Sequence, residues 1–76
     1  RVVERFGRPA LVVGFDGALG RGSARTIPGV DLLELLAAAD AHLERWGGHA
    51  QAAGCELAAD ALPRVRSALL AKAREL

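Results

Sequence analysis

The apolar positions change period several times along the chain, and each change marks an element. Ala10–Phe15 is a six-residue apolar run broken only by Gly14. Its short length and the β-branched pair Val12–Val13 predict a buried strand rather than a helix. Asp16–Gly22 carries Gly17, Gly20 and Gly22 and reads as a turn or loop. Ser23–Ile27 follows as a second strand, whose alternation puts Ser23, Arg25 and Ile27 on one face and Ala24 and Thr26 on the other. From Leu32 the period lengthens: Leu32, Leu35, Leu36, Ala39, Leu43 and Trp46 recur at helical spacing and predict one continuous amphipathic helix. Asp31 is its N-cap, Glu34 completes a capping-box pair, and Gly47–Gly48 ends it. Ala52–Leu57 is a third, small-residue strand. Leu62, Val65, Leu69, Ala73 and Leu76 then make the stripe of a last helix, capped by Asp60, with Pro63 tolerated in its first turn. At the other end, Arg1–Phe6 reads as the close of a helix stopped by Gly7. The order is helix end, strand, strand, helix, strand, helix. That pattern predicts an α/β (α+β) module with a small mixed sheet of about three strands, covered by helices on at least one face.

Composition narrows what such a module can do. Seventy-six residues make one small domain, and a chain of this size buries only about 60% of its unfolded surface. The aromatic side chains are Phe6, Phe15 and Trp46, so the core rests on Ala, Leu and Val and has little volume to spare for a deep pocket. The sequence contains no methionine, so the 1–76 chain is expected to be a piece of a larger protein. A net charge of +1 excludes a polycation that holds nucleic acid by bulk attraction. Nine of the ten cations are arginine, however, and arginine suits bidentate phosphate and carboxylate contacts. A single cysteine, Cys55, excludes an internal disulfide and fits a reducing cytoplasm. No apolar stretch approaches the ~20 residues of a membrane span, so no membrane partner is expected.

Two segments carry candidate chemistry. In Gly47-Gly48-His49-Ala50-Gln51-Ala52-Ala53-Gly54, two glycines expose backbone N–H groups beside a histidine, a pattern able to cradle a phosphate. Its expected place after a helix C-terminus argues against an anion, because that end carries negative partial charge. The alternative is a helix C-cap followed by a tightly packed strand. Ser23 and Arg25, a hydroxyl and a guanidinium on one strand face, suit a phosphodiester; the alternative is a surface ion pair for Arg25 and a turn end at Ser23. The other constellations fail. The glycines at 14, 17, 20 and 22 fit neither the dinucleotide fingerprint nor the P-loop. His42 and His49 lack companions at metal-ligand spacing, Ser23 has no nucleophile-elbow context, and Cys55 reads as a buried, inert thiol. No complete catalytic set is present.

The two segments together resemble a known family. Gly22-Ser23-Ala24-Arg25-Thr26-Ile27-Pro28-Gly29-Val30-Asp31-Leu32 looks like the GSxRSIPGFDL segment of RecJ-type single-strand-DNA exonucleases. Trp46 to Gly54 looks like their GGHxxAAG signature. Both belong to the DHH-associated domain of DHH-superfamily phosphoesterases, and the preceding Arg8-Pro9-Ala10-Leu11-Val12-Val13 also matches. Thr26 in place of Ser and Val30 in place of Phe are mild departures. The resemblance implies a 5′-to-3′ exonuclease of single-stranded DNA, a cytoplasmic enzyme of DNA repair and recombination, whose Mn²⁺ or Mg²⁺ is held by a DHH domain of the same parent chain. The Asp-His-His motif of that domain does not occur in these residues, so a catalytically incomplete, substrate-binding piece is expected, with no metal ligand of its own. Carried across, Ser23 and Arg25 contact DNA phosphates, Gly47, Gly48 and His49 hold a phosphate opposite the metals, and His49 takes the catalytic role. An oligoribonuclease or nucleotide phosphatase of the superfamily is the alternative, sharing GGHxxAAG without GSxRxIPGxDL. A non-catalytic nucleic-acid-binding accessory module is a third reading.

Overall fold

Five strands and two helices make up the computed structural model, which describes residues 2–76. β1 (Val2–Arg5), β2 (Ala10–Asp16) and β3 (Leu19–Arg25) form a meander. α1 (Leu32–Ala38) and a 3₁₀ turn (Asp40–His42) lead into β4 (Arg45–Gly48) and β5 (Ala52–Ala58). A second 3₁₀ turn (Ala59–Ala61) opens α2 (Leu62–Glu75). The sheet order is β1-β2-β3-β5-β4, and every pair is antiparallel. The class is the expected one, with a larger and purely antiparallel sheet.

Several local expectations change. Val2–Arg5 is an edge strand, not a helix end; Arg1 lies outside the described residues. Gly7 (φ +74°) does take the left-handed conformation, but it does so in the turn that returns β1 onto β2, where the Phe6 N–H donates to the Pro9 carbonyl at 2.8 Å. Leu19–Gly22 belongs to β3, because Asp16 pairs with Leu19 and leaves Gly17–Ala18 as a two-residue hairpin turn. At its other end β3 stops at Arg25, so Thr26 and Ile27 fall outside the strand expected over Ser23–Ile27. α1 stops at Ala38 rather than Trp46. Leu43 and Trp46 still pack on the core, but from a turn and a strand, and the Trp46 indole N–H donates to Asp40 Oδ1 at 2.7 Å. Backbone pairing of Arg45–Gly48 with β5 overrides a local helical period. Asp60 sits inside the second 3₁₀ turn, and α2 begins from Ala61 without a side-chain cap, with Pro63 in its first turn.

Other expectations stand. The Asp31 carboxylate accepts from the Leu33 N–H at 2.8 Å. Ile27-Pro28-Gly29-Val30 closes through the Val30 N–H to the Ile27 carbonyl at 3.3 Å, with Gly29 at φ +93°, as a Pro-Gly type II turn requires. Both helices cover one face of the sheet. There Leu11 and Val13 of β2 and Cys55 and Leu57 of β5 are buried with Leu35 and Leu36 of α1 and Val65 and Leu69 of α2. Arg66 of α2 pairs with Glu4 of β1, tying the helix to the sheet edge. The last position of the predicted stripe departs from expectation: Leu76 lies outside the core, 53% exposed.

A candidate phosphate-binding face

Among the described residues the other sheet face carries no helix, and the register fixes what it displays. One cross-strand row runs Val3, Val12, Ser23, Gly54, Gly47. The row to one side runs Arg5, Ala10, Arg25, Ala52; the row to the other runs Gly14, Arg21, Glu56, Arg45. The two sequence motifs, distant along the chain, therefore meet. Ser23 and Arg25 on β3 flank β5, and Gly47 closes the same row from β4.

Glycine has different reasons in different places. A Cβ on Gly48 (φ +138°) would lie 2.6 Å from Ala53 Cα and 2.7 Å from the Ala52 carbonyl oxygen, so the hairpin itself demands glycine there. A Cβ on Gly47 would meet nothing within 4 Å, and one on Gly54 would meet only the Gly22 carbonyl at 3.5 Å. Neither has a positive φ. Glycine inside a strand weakens it unless something approaches closely. These two form the floor of a shallow groove of about 470 Å³, walled by Arg21, Arg45 and Glu56.

The loop holding His49 is braced on both sides. The His49 N–H donates to the Ala52 carbonyl at 2.8 Å, while Ala50 and Gln51 carbonyls accept from the Leu32 N–H at 2.8 Å and the Thr26 N–H at 3.4 Å. Because Gly47–Gly48 lies on a strand, the negative helix end anticipated beside it does not exist, and the objection to an anion falls. Arg25 Nη1 donates to the Ala24 carbonyl at 3.0 Å. That anchors the guanidinium and leaves four of its five N–H donors free. Among the described residues, Arg25 makes no ion pair. Thr26 Oγ1, one residue past the end of β3, is buried without a partner among those residues.

Charge is segregated as well. The open face displays Arg5, Arg21, Arg25 and Arg45 against Asp16 and Glu56, while the other seven acids lie elsewhere. A nearly neutral chain thus presents one positive face. His42 stands apart, in the 3₁₀ turn near Pro63 and Arg64. Cys55 is buried on the helical side, and burial pushes its thiol pKa up against a smaller opposing effect of a backbone hydrogen bond at Gly22. Among the described residues, no three His, Cys, Asp or Glu side chains cluster as metal ligands, and no helix is long and apolar enough to cross a membrane. The sequence alone did not single out Arg21 or Arg45 as part of this face; Gly54 closed the glycine–histidine segment. The signal that could have found the two arginines was position: each stands immediately before one of the two motifs.

Comparison with known proteins agrees with these motifs. The family model described as the DHHA1 domain matches residues 1–75. The single-stranded-DNA-specific exonuclease RecJ of Bacillus subtilis (strain 168) is 45% identical over 71 residues, 91% of this chain and 9% of that protein. The crystal structure of RecJ in complex with Mg²⁺ from Thermus thermophilus matches with a TM-score of 0.70 and 28% identity, over 74% of this chain and 9% of that one. The chain spans under a tenth of the length of either relative.

Proposed function

The chain belongs to the DHHA1 domain family, and on that premise we propose that it is the substrate-binding domain of a RecJ-like exonuclease that degrades single-stranded DNA from the 5′ end. The observation that carries this reading is the Ser23–Gly54–Gly47 row, where a hydroxyl and two uncovered glycines lie beside the anchored Arg25. Arg25 grips a backbone phosphate through its remaining donors, and the Ser23 hydroxyl donates to the same group. Gly47 and Gly54 let the phosphate approach the backbone, and Gly48 shapes the hairpin that presents them. His49, held by its backbone at the end of β4, is the residue of this chain assigned to the reacting phosphate.

Hydrolysis of this type draws on Mn²⁺ or Mg²⁺ to polarise the phosphate and activate water. The described residues do not fit such an ion, so it is assigned to a DHH domain elsewhere in the full-length protein. This chain's part is to bind and orient. In the full-length protein, Arg25→Ala is expected to cost about 1.5–3 kcal/mol of substrate interaction, the range for a charge-assisted hydrogen bond. Measured as kcat/KM on 5′-phosphorylated single strands, that is a loss of roughly ten- to a hundredfold. Unchanged kinetics would overturn the reading.

A further inference from the structure

We infer that Arg21 and Arg45 form a second phosphate-contacting row, so that the nucleic-acid backbone runs along β5 across the glycine floor from Arg25 toward these two arginines. The inference rests on the reading above and extends it to residues outside both motifs. Around Gly54, the sheet register places Ser23 and Gly47 to either side. It places Arg25 diagonally on one flank, and Arg21 and Arg45 diagonally on the other. Arg21 and Arg25 are four residues apart on one strand face, ~14 Å at the rise of an antiparallel strand. Cations at two levels of one sheet face, with the glycine floor beside them, suit the backbone of a single strand.

Neither arginine is occupied by the fold. The Arg21 side chain is 76% exposed, and its one ion-pair partner among the described residues is Glu56, at 3.8 Å, a surface pair of small worth. Arg45 lies opposite Glu56 in register and makes no ion pair among the described residues. Glu56 is the carboxylate of this row. It leaves the row one net positive charge and weakens its hold on phosphate.

The test is binding of a fluorescent single-stranded DNA oligonucleotide to the full-length protein over a salt series. Arg21→Gln and Arg45→Gln should each make the plot of log affinity against log salt shallower by about 0.7, with equal losses on different base sequences. Glu56→Gln should bind more tightly than the parent. Thermal midpoints of the ligand-free variants should match the parent's, which sets folding aside. An unchanged slope in the double variant, with Arg25→Gln still weakened, overturns the second row and leaves the first. A lower thermal midpoint with an unchanged slope also overturns it, since the face would then dock a neighbouring protein domain. Arg25→Gln without effect removes the reading on which the proposal rests.

Discussion

The two faces of the sheet use glycine for opposite reasons. On the helical face, a Cβ on Gly22 would lie 2.8 Å from both Cys55 Sγ and Leu11 Cδ1, and one on Gly20 would lie 2.6 Å from Phe15. Packing against neighbours within the domain requires glycine there. On the open face, Gly14 and Gly47 have nothing within 4 Å and Gly54 only an ordinary contact. Nothing in the domain requires glycine at those positions, although glycine costs a strand stability. A residue type kept against its own structural disadvantage points outward, to whatever approaches the face.

Substitution separates the two classes, and the largest effect belongs to the hairpin. Gly48→Ala meets backbone atoms and a left-handed φ together, and is expected to destabilise the chain by about 3 kcal/mol. Denaturant titration measures it; a tolerated alanine would break the distinction between Gly48 and Gly47. Gly22→Ala drives a methyl into Cys55 and Leu11 and should cost about 1–3 kcal/mol in the same titration. A neutral result would show that the helical face yields as readily as the open one.

The smallest effect concerns the thiol behind the sheet. The folded-state pKa of Cys55 is raised by burial, so its stabilising share is complete below the ordinary thiol range near about 8.5. It is lost as pH rises through the higher folded value. Stability of the chain should therefore decline on the alkaline side, and Cys55→Ala should flatten that limb even if it lowers the plateau. An identical alkaline limb in the variant would show that the thiol titrates alike in the folded and unfolded states.

The contrast between the faces also explains what sequence could and could not show. β2, β5, the Asp31 cap and the Val65–Leu69 stripe rest on local periodicity, and local periodicity was legible. β1 and β4 rest on pairing with partners distant in sequence. Val2–Arg5 is too short to carry a period, and Leu43 and Trp46 fall at helical spacing while serving a turn and a strand. The motif residues Ser23, Arg25, Gly47, Gly48 and His49 stood out by type and order, and the fold brings their backbones together. Arg21 and Arg45 did not stand out in the same way. Beyond its place just before a motif, an exposed arginine in an arginine-rich chain has no local signature, and only the three-strand register of β3, β5 and β4 gathers these two around the glycine floor.

The most direct test is the affinity of full-length Gly54→Ala for a single-stranded oligonucleotide. The added methyl meets only the Gly22 carbonyl, at 3.5 Å, so folding stability should hold or rise by about 0.5–1 kcal/mol. Affinity should fall about tenfold or more, because the backbone can no longer seat on the floor. Parental affinity in a folded variant would contradict the account, since the open face would then be bare for some reason other than its ligand.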